Sequence, residues 1–315
     1  MRLCAVSVDL DEIPNYFAIH GLPDPTGGAQ TLVYDVAFDR LLALARELAI
    51  PLTLFAIGQD LARPASAAKL RAARERGFEI ANHSLDHRYD LVRLGRTEIR
   101  RQVEEGARAI ARATGVAPVG FRAPGYTVSD ELFDVLTELG VAYDSSVFPC
   151  PAYWMAKTVA IGLIRARGRK SRSIVDSPRV LIAPTQPYRV GRPYWHHGQG
   201  MLEIPVQVTR GPRLPVFGTT LTLRGAPTAR WLARACVGQP MINLELHGID
   251  VLDAADGLEA LRSHQPDVRV DHAQKLGRLR AAIDVLQGAG YTFVTLEAAA
   301  RELAAQMDAG LKPGA

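Results

Sequence analysis

Two histidines four residues apart, His83 and His87 in "HSLDH" (83–87), raise the question of metal chemistry. Neutral imidazoles bind zinc and related divalent ions, and a catalytic site commonly takes three protein ligands while keeping a position open for water. The pair needs a third ligand, and "SVDLDE" (7–12) offers one. In an extended segment side chains alternate, so Asp9 and Asp11 share a face while Leu10 packs opposite. Two carboxylates so close repel unless a cation or an arginine compensates one of them. That points to Asp11 on the metal, with Glu12 as the alternative ligand, and to Asp9 as a free base.

Three further residues extend the chemistry. Arg122 in "GFRAPGY" (120–126) can hold a carboxylate through paired hydrogen bonds, which orients Asp9 and keeps it ionised. Pro124 and Gly125 then bend the chain, so that backbone N–H groups near Tyr126 can face a developing oxyanion. His247, at the end of "NLELHGID" (243–250), is placed to protonate a departing amine. Each motif alone has an ordinary structural explanation: loop histidines, a solvated acidic turn, a Pro-Gly bend. Their shared position at the ends of apparent strands carries more weight than any one of them.

Those strands come from the pattern of apolar residues. Runs at 2–10, 51–58, 78–84, 119–124, 141–146, 201–208, 241–248 and 291–296 read as strands. Helical spacing over 35–50, 67–77, 96–115, 129–140, 271–287 and 297–306 fills the intervals between them. Repeated βα units imply a parallel sheet, and their number suits a closed or nearly closed barrel whose active residues gather at the C-terminal strand ends. A chain of 315 residues with 48% hydrophobic content can bury such a core as one domain over 1–315. Two segments break the rhythm. Residues 150–200, rich in Pro, Arg and Gly, read as a functional insertion, and 248–270 reads as a lid.

Bulk properties exclude several classes. With 33 acidic residues against 37 basic ones, the net charge of +4 does not describe a nucleic-acid-binding polycation. Cys4, Cys150 and Cys236 lie far apart without a CxxC pair, which argues against a disulfide framework and for a reducing compartment. No signal-peptide pattern opens the chain, and no uncharged apolar run reaches the roughly 18 residues a membrane span requires. The expectation is a cytoplasmic protein.

The residues, taken in order, resemble the NodB-homology polysaccharide deacetylases, carbohydrate esterase family 4. Its motifs look matched by "SVDLDE" (7–12), "HSLDH" (83–87), "FRAPGY" (121–126), "YDSSVFP" (143–149) and "LELHG" (244–248). The resemblance implies an α/β fold, a distorted (β/α)7-type barrel, and metal-dependent removal of an N- or O-acyl group from a sugar. It makes Asp11, His83 and His87 the metal triad, Asp9 the base, Arg122 its tether and His247 the acid, with Asp144 at the fourth motif's aspartate. One divalent ion is implied, zinc first and cobalt, nickel or iron as alternatives.

Three departures refine the expectation. The spread "DLD" is similar to the first motif of formamido-arabinose phosphoundecaprenol deformylases and of some exopolysaccharide-locus deacetylases. The extra glycine leaves the oxyanion donor open between Gly125 and Tyr126. The fourth motif's tryptophan is absent, so the apolar wall beside the sugar must come from Tyr126, Phe148 or Trp195. In 154–173 an apolar stretch adjoins Arg165, Arg167, Arg169, Lys170 and Arg172, which suits an interfacial segment on anionic lipid. The expected substrate is thus an acetylated or formylated sugar, polyprenyl-phosphate-linked or otherwise a glycan precursor, met at the inner membrane face. The competing readings are a chitooligosaccharide or peptidoglycan deacetylase, a catalytically inactive carbohydrate-binding homologue, and an amidohydrolase acting on a small cyclic amide.

Overall fold

The computed structural model describes residues 2–310. Strand β1 (Leu3–Asp9) leads through α1 (Ile13–Ile19) and α2 (Phe38–Glu47) to β2 (Leu52–Ala56), α3 (Pro64–Glu75), β3 (Glu79–Asn82) and α4 (Arg96–Thr114). Next come β4 (Gly120–Phe121), α5 (Asp130–Glu138) and β5 (Tyr143–Asp144). Helix α6 (Pro151–Ala166) precedes β6 (Tyr188–Val190) and β7 (His197–Glu203), and α7 (Gly218–Leu223) and α8 (Ala226–Cys236) lead to β8 (Met241–His247). Helix α9 (His272–Gly288), β9 (Thr292–Phe293) and α10 (Leu296–Asp308) complete the order.

The strands form one curled sheet in the order β6-β7-β5-β4-β3-β2-β1-β8, with β9 paired to the first residues of β1. All pairings are parallel except β6 with β7, and β6 and β8 are the two ends of this path. This open half-barrel is the distorted (β/α)7-type architecture that the motif order implies. Period-two alternation divides its residues. Cys4, Val6 and Val8 of β1 and Ile242, Leu244 and Leu246 of β8 pack outward against helices. Leu3, Ala5, Phe55, Ala81 and Met241 face inward and are closed off at the lower end by Leu296, Ala299 and Leu303 of α10.

The helices follow local signals. In α4 the buried residues Ile99, Val103, Gly106, Ile110 and Ala113 recur at helical spacing, and Gly115 ends the helix at φ 79°. Ser129 caps α5 by accepting a hydrogen bond from the Leu132 N–H at 3.2 Å.

The 150–200 segment has structure of its own: it contains α6 and an antiparallel hairpin, β6 to β7, and β7 starts at His197 because its first residues pair with β6 before the strand joins β5. One expectation changes. The 248–270 stretch is pinned as a series of short 3-10 turns rather than poised as a lid. The fully buried Lys275 donates to the Ile249 and Leu252 carbonyls at 3.0 and 2.7 Å and to Asp267 at 3.2 Å, while Leu252, Leu258, Leu261 and Val268 are buried beneath. Helices α7 and α8 were not anticipated from the pattern.

Gly106 lets α4 approach the end of β3. A Cβ there would lie 2.6 Å from the Asn82 Oδ1 and 2.8 Å from the Ser84 carbonyl carbon. Gly106→Val should therefore destabilise the protein by about 1–3 kcal/mol, the usual cost of overpacking. Urea unfolding reads this directly, and an unchanged midpoint would remove the close approach from the account.

Candidate active site

The strands' C-terminal ends lie level across the sheet. Asp9 is in register with both His247 and Phe55, Ala56 with Asn82, Asn82 with Phe121, and Phe121 with Asp144. On the inward positions of β1 and β8 the lower residues Leu3, Ala5 and Met241 are apolar, but Ser7 and Asp9 on β1, and Asn243, Glu245 and His247 on β8, make the upper layer polar. A polar layer inside a barrel must supply its own partners.

Arg122, directly after β4 and fully buried, organises that layer. Its Nη1 donates to Asp9 Oδ1 at 2.6 Å, Nη2 to the Ser7 and Ser145 hydroxyls at 2.9 Å each, and Nε to the Ser145 carbonyl at 2.8 Å. The guanidinium stacks 4.1 Å over the Phe55 ring. Ser7 in turn donates to Asn243 Oδ1 at 3.0 Å, and the Asn243 amide donates to Ser145 Oγ at 2.9 Å. Burial works against the arginine's charge, but Asp9 foremost and then Glu245 offset it, so its pKa lies above the ordinary value. Asp9 is thereby held in one orientation with Oδ2 left toward His83, 3.6 Å from Nε2.

Asp11, His83 and His87 converge beside it. The His83 and His87 Nε2 atoms lie 3.3 and 3.1 Å from the two Asp11 carboxylate oxygens. His83 Nδ1 is 2.8 Å from the Arg122 carbonyl, which can only accept, so in the neutral ring that would bind a cation the lone pair is on Nε2. His87 reaches the cluster through a loop in which Ser84 and His87 itself adopt left-handed backbone, φ 68° and 56°. Such strain in non-glycine residues collects where function fixes the geometry. Asp11 Oδ1 and both His87 ring nitrogens are buried without a hydrogen-bond partner. One carboxylate oxygen of Asp11 and one ring nitrogen each of His83 and His87 lie within 4.8 Å of one another, and three buried ligand atoms so gathered fit a divalent cation. Glu12 is occupied elsewhere, since its carboxylate accepts the Val33 and Tyr34 N–H groups at 3.0 Å each.

His247 stands on the other side of Asp9. Its Nδ1 lies 2.9 Å from Oε1 of the fully buried Glu245, and Nε2 lies 3.4 Å from the Tyr126 hydroxyl. Burial alone would lower the imidazole's pKa, but Glu245, followed by Asp9 and Asp11, raises it well above the ordinary value. The ring is therefore set to carry a proton.

The turn between them is made by Gly125 and Tyr126, both left-handed at φ 65° and 58°. The Tyr126 N–H already donates to the Ala123 carbonyl at 3.1 Å, so Gly125 is the better placed of the two oxyanion donors. Tyr126, Phe148, Tyr153 and Phe217 form an aromatic wall with ring centroids 4.7–5.9 Å apart.

Two expected residues lie elsewhere. Asp144 falls on the opposite parity to Tyr143 and Ser145, so it points away from the inner layer, accepting from the Ser146 N–H and hydroxyl at 3.1 and 2.8 Å. Beside it the buried Glu203 has its pKa raised well above the ordinary range by burial and by Asp144. Trp195 belongs to the turn before β7, under the Arg179 guanidinium 5.1 Å from its ring, and its ring neighbours are Tyr194 and His196 rather than the aromatic wall. Ser7, Ser145, Asn243 and Glu245 were missed. Their signal was a polar side chain at an inward position of a buried strand.

Residues 32–143 match the polysaccharide deacetylase family. The span includes His83, His87, Arg122, Gly125 and Tyr126 but not Asp9, Asp11 or His247. No curated protein matches the sequence. Among solved structures, a candidate polysaccharide deacetylase from Mycobacterium smegmatis is similar with a TM-score of 0.61 and 20% identity, over 99% of this chain and 93% of that one. An allantoinase gives 0.58 and 17%, over 96% and 90%. Identities at this level establish the shared fold. The matched segment and that fold support the NodB-homology family.

Glu245 supplies a test of the proton at His247. An imidazole whose folded pKa is raised keeps its proton below that pKa and loses it as pH rises through it. Glu245→Gln removes the foremost raising neighbour, so the alkaline fall of kcat should move to lower pH. A pH–rate profile unchanged by the substitution would detach Glu245 from the acid.

Proposed function

We propose that the chain is a metal-dependent hydrolase that removes an N-acyl group from a sugar, working as one catalytic unit over residues 1–315. The observation that carries this reading is the sequence of groups His247, Asp9, Asp11 along one edge of the site, each with a different charged partner. A shared fold leaves activity open, since the two structures just compared are named for different reactions, and so the site decides.

Asp11, His83 and His87 would hold the ion. When bound, it polarises the acyl oxygen and makes a nearby water more acidic. Asp9, tethered by Arg122, takes the proton from the attacking water. The Gly125 N–H faces the oxygen on which charge develops, in a site walled from solvent by Tyr126, Phe148 and Phe217. His247, protonated beside Glu245, hands its proton to the departing amine. Zinc suits the nitrogen and oxygen donor set, and cobalt, nickel and iron share it.

The finer reading is an acetylated or formylated sugar carried on a polyprenyl phosphate, met at the cytoplasmic membrane face. The "DLD" spacing supports it, and so does α6. Met155, Val159 and Leu163, four residues apart, form one exposed apolar stripe at 62%, 59% and 50%, followed by the exposed Arg165, Arg167 and Lys170. No helix among the described residues is long and apolar enough to cross a membrane.

Metal analysis of the purified protein, alongside amine release from N-acetylglucosamine, di-N-acetylchitobiose and N-formylglucosamine, tests the function. About one ion per chain, lost in His83→Ala together with turnover, is expected. Asp9→Asn should keep the ion and lose roughly 10²–10⁴-fold in kcat. Wild-type protein that takes up no supplied ion would overturn the reading in favour of a binding protein. The membrane contact is tested by sedimentation with phosphatidylglycerol vesicles, where Val159→Glu should release the protein. Equal binding of wild type and variant would exclude the stripe.

A further inference from the structure

Helix α6 has a second face, turned toward the site. Tyr153 and Lys157, four residues apart, lie on one side of the helix. Tyr153 packs into the aromatic wall, 5.9 Å from Tyr126 and 4.7 Å from Phe148 between centroids. The half of the helix that carries them is anchored twice. Cys150 Sγ accepts the Tyr153 N–H at 3.4 Å, and the Trp154 indole N–H donates to the Asp176 carbonyl at 2.9 Å. From this fixed platform Lys157 Nζ donates to the Gly125 carbonyl at 2.9 Å.

We propose that Lys157 is a positioning residue for the oxyanion-holding turn, its side chain clamping the Gly125 carbonyl so that the Gly125 N–H keeps facing the reacting acyl group. The argument rests on peptide geometry. The Gly125 carbonyl and the Tyr126 N–H belong to one rigid plane. Lys157 holds the oxygen end and Ala123 accepts from the nitrogen end at 3.1 Å. That fixes the plane on one side of Gly125 while the Pro124 ring restricts the chain on the other, which narrows the directions left to the Gly125 N–H between them. The turn needs such a restraint, because glycine is the most freely rotating residue and Tyr126 sits at a left-handed φ that a side chain disfavours. The insertion would thus complete the active site as well as decorate it.

Charge supports the same arrangement. Burial draws the Lys157 ammonium down to about 8, opposed by Asp176, whose own carboxyl burial raises to about 7. Asp176 faces the amine from the segment after α6, the Tyr153 ring lies 5.7 Å away on the same helix, and the Gly125 carbonyl faces it from the turn. The charged, stronger donor is present below that pKa and is lost as pH rises through it.

The test compares wild type, Lys157→Met and Lys157→Arg, each with its metal content measured. Hydrogen exchange reads the Tyr126 amide without reference to activity, and di-N-acetylchitobiose and N-formylglucosamine supply kcat and KM. Lys157→Met should lose about tenfold in Tyr126 protection and about tenfold in kcat, the scale of one charged hydrogen bond, with KM within about twofold and the ion retained. Lys157→Arg should restore both. Protection corrected for intrinsic exchange should fall from pH 7 to about pH 9 in wild type and stay level in Lys157→Arg. Wild-type protection and kcat in Lys157→Met, or an arginine that rescues neither, would overturn the clamp. The kinetic arm rests on the deacylase reading. If wild type releases no amine from either sugar, that reading fails, and the exchange arm still decides the clamp.

Discussion

The buried ion pair between Arg122 and Asp9 is the constraint on which the rest of the site depends. An uncompensated guanidinium at this depth would cost several kcal/mol, and pairing with one carboxylate leaves most of its donors unsatisfied. Here Ser7, Ser145 and Phe55 supply the remaining contacts, with Asn243 bracing the two serines. These residues come from β1, from the position just after β5, from β2 and from β8, so the sheet must curl far enough to bring its two sides within hydrogen-bond reach. The polar layer thereby specifies the curvature, while the apolar layer beneath it stabilises the sheet without choosing one curvature so sharply.

The same pair separates the roles of two neighbouring carboxylates. Asp9 and Asp11 are two residues apart and face the same way, yet one is matched to a guanidinium and the other to two imidazoles. His247 obtains its charge from a third carboxylate, Glu245. Pairs of titratable groups whose surroundings push them apart mark acid and base assignments. In this site the separation is achieved by giving each carboxylate a different neighbour, Arg122 for Asp9, the His83 and His87 rings for Asp11 and His247 for Glu245, and the backbone alternation of β1 and β8 sets Asp9, Glu245 and His247 on the inner face.

That allocation explains what could be read from the chain and what could not. His83, His87, Asp11, Asp9, Arg122 and His247 all sit at strand ends, and strand ends are visible in local hydrophobic patterning; the structure gathers all six. The bracing residues are invisible at that range, because Ser7 meets Asn243 across 236 positions of sequence. Asp144 resembled a site residue by motif, but the inner face goes to Tyr143 and Ser145. Trp195 was a candidate for the apolar wall as an aromatic residue, and residue type alone does not say which rings it meets; its neighbours are Tyr194 and His196. Helix α7 opens on Gly218, Thr219 and Thr220 and is too short to show a stripe, whereas α8 does carry one, Ala229, Leu232, Ala233 and Cys236 at helical spacing, which the sequence reading passed over.

The insertion shows how a shared barrel can acquire its own reaction. The barrel supplies proton donor, proton acceptor and ion ligands, and none of these selects a sugar or a carrier. Selection must come from what surrounds them, and α6 is the element that touches both the site and the exterior. Its inner face contributes Tyr153 to the apolar wall and Lys157 to the turn, while its outer face presents Met155, Val159 and Leu163 beside a run of arginines. On the proposed reading, a helix that is apolar on the outside and bonded to the Gly125 turn on the inside would link where the protein docks to how its acyl pocket is shaped. A substrate arriving on a lipid surface would then meet both faces of that one helix, whereas a freely diffusing sugar would meet only the inner one.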